Sequence, residues 1–353
     1  MGVVEIIVIF IFVILLLVVT HELGHFLAAR FFNVRVDEFG VGMPPKLFGW
    51  KRGETLYSIN ALPLGGFVRI FGEEEDNNDP RSFSSKSYTV KSLIVVAGVA
   101  ANVLTAFVLF SLIAAIGVPE YSNKLVLVIE GSPAYEAGLR SGDMIVGVSE
   151  AGNPTKNAQE VQSYISSRLG QDAIVIYERE GRRIVTSFVP REAPPEGEGA
   201  SGVAFGLGVR RIPWYQIPWE GLKTTILAFY AIIAGLWLFF AQLFSTGAAP
   251  GDIVGPVGIA VIATETFRIG VVSFLQLIAF LSLNLAVINI LPIPALDGGR
   301  IFFFMIEKIR GKMIPARVTG VIHSAFFILL LAFLIWISYR DITNLDNYFQ
   351  LFG

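Results

Sequence analysis

Two histidines four residues apart, with a glutamate beside the first, stand at His21-Glu22-Leu23-Gly24-His25. On a helix, positions four apart project from one face. The two imidazoles could therefore hold one metal ion, with Glu22 beside it as a general base. The chain has three histidines in all, and this pentad uses two of them. The run before it, residues 3–19, is almost unbroken Val, Ile, Leu and Phe. Ionisable side chains are costly in hydrocarbon, and in such a setting they mark function by default. H-E-x-x-H alone is a weak pattern; inside an apolar helix, chance is a poor account of it.

A catalytic zinc needs a third protein ligand and an open position for water. Cysteine is absent, so thiolates are excluded. His323 lies among Val321, Ile322 and Phe326 and reads as a packing or interfacial residue. Asp297 is the better ligand. It lies in Asn289-Ile-Leu-Pro-Ile-Pro-Ala-Leu-Asp-Gly-Gly-Arg300, where Pro292 and Pro294 break an apolar helix that the carboxylate is expected to end. Taken alone, Asp-Gly-Gly is an ordinary helix C-terminal signal. However, irregular backbone at membrane depth is tolerated only when buried in protein or lining a wet cavity, which makes this segment the second half of a site. The chemistry expected is peptide hydrolysis. Glu22 takes a proton from water and delivers it to the leaving amine. Asn289 donates a hydrogen bond to substrate backbone or to the oxyanion.

Five apolar stretches position these groups, at about 3–29, 92–117, 222–244, 273–293 and 318–338, each near the ~20 residues that cross a bilayer. Only 16% of the 353 residues are charged and 54% are hydrophobic, against roughly a quarter charged in soluble domains. The chain is therefore expected to be an integral membrane protein. The net charge of -2 gives no hint of nucleic acid. The first stretch lacks the basic start and cleavage site of a signal peptide and reads as a retained helix.

Basic loops lie on the cytoplasmic side. Residues 295–317 carry Arg300, Lys308, Arg310, Lys312 and Arg317 against Glu307, and the loop 30–91 is also basic. Both are expected inside, with the N-terminus and the block 120–220 outside. The two can share a side only if four stretches cross, so 222–244 is expected to lie in the interface or re-enter. The pentad falls about 27 Å along the first helix, near the cytoplasmic end. The acidic run 73–79 reads as a solvated loop. The block 120–220 reads as a β-rich module with strands at 125–129, 144–148 and 173–177 and a helix over 157–169. Residues 192–201 are rich in Glu, Pro and Gly and begin a linker expected to run to 221.

These motifs resemble the site-2 protease family of intramembrane zinc metalloproteases, in its bacterial, RseP-type members. The matching segments are His21–His25, Asn289–Gly299, Phe39–Gly42, Leu62–Phe67, the Gly98 and Asn102 pair in Ser92–Asn102, and Gly131–Ala134 with Ala137–Asp143, which is similar to a PDZ module. The resemblance implies a polytopic α-helical membrane protein with four transmembrane helices, one interfacial or re-entrant helix, a membrane-associated β-hairpin within 34–72, and one inserted PDZ domain. It divides the chain into a membrane core at 1–121, the PDZ domain at 122–191, a linker at 192–221 and a second membrane core at 222–353. It implies one zinc ion per chain on His21, His25 and Asp297, Glu22 as the catalytic residue, and Asn289 and Asn102 positioning substrate.

The implied activity is regulated intramembrane proteolysis of single-pass proteins, such as anti-sigma factors or remnant signal peptides, after a site-1-type protease. The implied location is the bacterial inner membrane, multi-pass, with both termini and the PDZ domain extracytoplasmic. The expected partners are transmembrane substrates and the bilayer, not nucleic acid. Two features depart from the family: Val99 stands where Pro is frequent, and there is room for one PDZ module rather than two. Strand addition by the hairpin would hold substrate extended, and Ile59→Pro is expected to reduce cleavage. A non-enzymatic scaffold has no need of Glu22, and a metal transporter would spread its polar residues over several helices rather than gather them at one end.

Overall fold

The computed structural model describes residues 2–73, 78–149, 153–155, 157–195, 197–247, 254–312 and 314–345. Most of the acidic run, at 74–77, and the C-terminal residues 346–353 lie outside them. The chain forms two compact units, Met1–Ile113 with Tyr215–Gly353, and Ala114–Trp214.

In the first unit, α1 (Val3–Phe31) and α2 (Tyr88–Ile116) are each 29 residues long. The β-branched run of α1 would favour a strand in water. In hydrocarbon each N–H and C=O must find a partner within its own segment, which selects the helix. Val3, Val4, Ile7, Val8 and Phe12 are exposed, as suits side chains facing lipid. Three further helices are long and apolar enough to cross a membrane: α5 (Ile217–Thr246), α7 (Val271–Ile290) and α9 (Ala316–Thr343). The protein is a multi-pass membrane protein.

Two helices were not anticipated, α6 (Pro256–Ile269) and α8 (Asp297–Arg310). The Asp341 carboxylate on α9 accepts from Gly255 N at 3.1 Å and Gly258 N at 2.8 Å. This supplies from a distant helix the cap that Gly255 cannot give α6. At its other end, α6 is tied to α1 by Arg268 Nη2 and Glu5 Oε2, 2.6 Å apart.

Between α1 and α2 the chain forms β1 (Val36–Arg52) and β2 (Thr55–Ile70), an antiparallel pair. The register doubles up. Residues 38–41 face 66–69 on one side and 56–59 on the other, while 46–52 face 55–60. Phe26 of α1 packs edge-on against Phe39 and Tyr57 of these strands, with centroids 5.5 and 6.1 Å away.

The second unit is a six-stranded sheet of order β7-β6-β4-β3-β8, with β5 paired to β4. Its strands are β3 (Val118–Val128), β4 (Met144–Val148), β5 (Asn153–Pro154), β6 (Ala173–Arg179), β7 (Arg182–Phe188) and β8 (Val203–Arg210). The helices α3 (Pro133–Glu136) and α4 (Ala158–Ser166) complete it. Asn157 caps α4 through Glu160 N at 3.1 Å, and Val161 and Ile165 bury its apolar face with Leu125, Leu139, Val175 and Phe188. The expected linker 192–221 is corrected here: β8 lies within it and pairs with β3. Glu, Pro and Gly at 192–201 form the connection before that strand. The module also starts earlier than residue 122, because β3 extends back to Val118.

Candidate metal centre

The three convergent side chains come from two helices. His21 and His25 lie one turn apart on α1, and Asp297 opens α8. This corrects one expectation: Asp297 does not end the broken helix but begins the next one. α7 stops at Ile290, the chain turns through Pro292 and Pro294, and α8 starts at the aspartate. Gly298 and Gly299 are required for close approach, not as a stop signal. A Cβ on Gly298 would lie 2.1 Å from Leu291 O, and one on Gly299 2.4 Å from Ile293 O.

His21 Nε2 and His25 Nε2 lie 3.0 and 3.3 Å from Asp297 Oδ2, and 3.1 Å from each other. Zinc–ligand bonds of 2.0–2.1 Å in a tetrahedron place ligand atoms about 3.3 Å apart, so the triangle matches a zinc site. The chemistry of the donors agrees. His25 Nδ1 lies 2.9 Å from Ile94 O. A carbonyl can only accept, so Nδ1 carries the proton and Nε2 offers a lone pair. Asp297 Oδ2 is buried with no hydrogen-bond partner. A buried carboxylate oxygen left without a donor is satisfied by a cation.

Asn102 of α2 is fully buried, and its Nδ2 lies 3.2 Å from His21 Nδ1. A cation on His21 Nε2 leaves the proton on Nδ1. The amide then presents Oδ1 to that proton, and turns Nδ2 toward Thr20 Oγ1, now 3.5 Å from Oδ1. Asn102 is thus sealed behind His21, where it can orient the ligand, and the expectation that it touches substrate is corrected. Asn289 differs. Its Nδ2 lies 3.3 Å from the metal-facing Nε2 of His21, and its side chain is half-buried.

Three residues that sequence reasoning passed over or undervalued also shape the centre. A Cβ on Gly98 would lie 2.4 Å from His25 Nε2 and 2.8 Å from His21 Cε1, so only glycine lets α2 pass so close to both imidazoles. Its place in a G-x-x-x-N spacing was the available signal. His323, read as packing, accepts at Nδ1 from Ala295 N at 2.9 Å and anchors the turn that delivers Asp297. Nothing in its apolar surroundings signals this. Arg300, one turn after Asp297, pairs with Glu73, three residues beyond the end of β2.

A cavity of about 180 Å³ lies over the cluster. Glu22, Phe67, Val68, Glu73 and Arg300 line it together with the three convergent residues, so an apolar wall, the Glu22 carboxylate and the two-histidine, one-aspartate cluster are contiguous.

Apolar helices long enough to cross, enclosing a two-histidine, one-carboxylate centre with a glutamate beside it, define a class: a membrane-embedded metallohydrolase. The comparisons with known proteins narrow it. The profile of Peptidase family M50 matches residues 9–333. A Clostridium acetobutylicum protein described as "Putative zinc metalloprotease" is 32% identical over 335 residues, covering 94% of this chain and 96% of its own. A Clostridium perfringens protein of the same description is 33% identical, with 92% and 95% covered. A Nostoc protein, also so described, is 30% identical, with 95% of each covered. A solved PDZ domain of the SdrC-like protein from Listeria monocytogenes matches 24% of this chain and 85% of its own, at 23% identity and a TM-score of 0.20. The chain belongs to peptidase family M50, the site-2 proteases. It is a zinc metalloprotease.

Proposed function

We propose that the protein is an intramembrane zinc endopeptidase that cuts single-pass membrane proteins near the cytoplasmic face, the last step of regulated intramembrane proteolysis. One zinc ion is held by His21, His25 and Asp297. The observation that carries this reading is the mutual 3.0–3.3 Å spacing of His21 Nε2, His25 Nε2 and Asp297 Oδ2.

Bound there, zinc supplies a Lewis acid that polarises a peptide carbonyl and acidifies water. Glu22, beside the imidazoles in the same cavity, takes the proton from the attacking water and returns it to the leaving amine. Asn289 donates its amide hydrogen to the carbonyl oxygen as negative charge gathers there. Asn102 and the Ile94 carbonyl hold the two imidazole rings in their working tautomers.

A helical substrate hides its peptide bonds in hydrogen bonds, so it must be drawn out before it is cut. Residues 66–70 of β2 are suited to this. They pair with β1, and Phe67, Val68 and Ile70 line the metal cavity. A substrate strand adding to this edge would run past the metal. Ile59, by contrast, belongs to 56–59, which face 38–41 as well as lying opposite 46–52. Ile59→Pro would break the hairpin rather than test the edge, so the informative site moves to Val68.

The inserted module acts as a PDZ-like filter that admits substrates already trimmed by an upstream site-1-type protease. The location is the bacterial inner membrane, with both termini and this module outside. In this reading four helices cross and α5 lies in the interface or re-enters. Zinc content and cleavage of a reporter transmembrane substrate in detergent test the activity. Glu22→Gln is expected to keep zinc and lose cleavage, and His21→Ala and Asp297→Ala to lose both. Equal cleavage by Glu22→Gln and the wild type would reject Glu22 as the base.

A further inference from the structure

A second, larger cavity of about 690 Å³ opens where the last turn of α1 meets the tip of the β1–β2 hairpin. It shares no lining residue with the metal cavity. Four guanidinium groups line it, from Arg30, Arg35, Arg52 and Arg81, against one acid, Glu54. Arg81 is paired with Glu54 at 2.9 Å and Arg35 with Asp37 at 2.8 Å. Arg30 and Arg52 have no carboxylate partner among the described residues. With Arg81 and Arg35 each paired to a carboxylate, Arg30 and Arg52 leave a formal excess of two positive charges. Guanidinium groups so gathered repel one another, and their forked donors match phosphate oxygens.

The cavity mouth continues onto an apolar stripe. Leu23, Leu27 and Phe31 stand four residues apart along one face of α1 and are 41, 56 and 83% exposed. Leu27 also lines the cavity. Arg30 lies in the last turn of the apolar helix, where a long basic side chain reaches the headgroup layer. A soluble phosphate would use the arginines and leave the stripe bare. A ligand with an anionic head and an apolar tail uses both, and basic pockets beside transmembrane helices suit such headgroups. We propose that this cavity binds the phosphate headgroup of an anionic phospholipid, with an acyl chain lying along Leu23, Leu27 and Phe31. Phe26 and Tyr57, which join α1 to the hairpin, form part of the same wall. The lipid thereby braces the hairpin against the helix that carries His21 and His25.

The test is native mass spectrometry of the full-length protein released from neutral detergent, titrated separately with phosphatidylglycerol, phosphatidylcholine and inorganic phosphate. Phosphatidylglycerol is expected to be retained in preference to phosphatidylcholine. Arg30→Gln/Arg52→Gln should weaken it roughly 30-fold, the effect of two basic groups near an anionic headgroup. Arg182→Gln/Arg183→Gln removes equal charge from β7 and should change nothing. Leu27→Ser/Phe31→Ser replaces exposed side chains, and should weaken phosphatidylglycerol while leaving inorganic phosphate binding as it was. Equal retention of the two lipids, or phosphatidylglycerol bound alike by wild type and Arg30→Gln/Arg52→Gln, would overturn the proposal. Inorganic phosphate bound as tightly as phosphatidylglycerol would overturn the lipid assignment. Should the arginine variant fail to fold, the two-lipid comparison and the Leu27/Phe31 variant still decide.

Discussion

Replacing Gly98 by alanine adds one methyl group at the most crowded point of the centre. In a helix the exchange by itself favours alanine by about 1 kcal/mol. Here the new Cβ would lie 2.4 Å from His25 Nε2, 2.5 Å from His25 Cε1 and 2.8 Å from His21 Cε1. Ordinary contact begins at 3.4 Å, so the His25 ring must retreat by about 1 Å, from 2.4 to 3.4 Å. Metal–ligand distances tolerate only about 0.2 Å, and a 1 Å misplacement near the chemistry costs on the order of 100-fold in rate. The ring cannot simply rotate away, because its Nδ1 is held by Ile94 O on the same helix as Gly98.

Gly98→Ala is therefore expected to lower zinc affinity at least tenfold, read by occupancy in zinc-buffered detergent. Cleavage of the reporter should fall about 100-fold at saturating zinc. Gly320→Ala on α9, where nothing lies within 4 Å of the added methyl, is the control and should leave both quantities unchanged. A Gly98→Ala protein with wild-type zinc occupancy and cleavage within a factor of three would refute the packing argument.

Other substitutions separate positioning from capping. Asn102→Ala removes the partner of His21 Nδ1 and should weaken zinc binding about 10- to 100-fold, measured by competition with a chelator; Asn102→Asp should restore part of it, since a carboxylate also accepts from Nδ1–H. His323→Ala leaves Ala295 N without its acceptor and loosens the turn before Asp297. Slower cleavage with reduced zinc affinity is expected, and His323→Asn, which offers a carbonyl oxygen, should recover activity. Asp341→Ala strips two buried N–H groups at the start of α6 and should cost about 1–2 kcal/mol of stability, seen as a lower melting temperature with zinc content intact. Val68→Pro alters the backbone of the strand that lines the metal cavity; zinc should stay bound while cleavage falls, and unchanged cleavage would count against strand addition.

Much of the centre was legible because its signals are local. The four-residue spacing of His21 and His25 determines a shared helical face, and Glu22 follows by adjacency. Asp297 was identifiable because two prolines interrupt an apolar run just before a carboxylate. Its place was misread because Asp-Gly-Gly has the same local signature at either end of a helix. What distinguishes the ends is that Gly298 and Gly299 pack on the carbonyls of Leu291 and Ile293, a contact made only once the turn has folded. α8 was hidden for the same reason. β8 was missed because residues 203–210 hold two glycines and gain their strand character from pairing with β3.

The chain order of residues thus determined the chemistry available: two imidazoles, a base and a carboxylate, set in helices that hydrocarbon forces to form because backbone polar groups cannot remain unpaired there. Only the tertiary structure decided which groups meet. The 3.0–3.3 Å triangle, the sealed Asn102, the anchoring His323 and the narrow gap at Gly98 all join segments from different helices. Periodicity reports the face of one helix and carries nothing about the distance to another, so these relations come into being only when the helices pack.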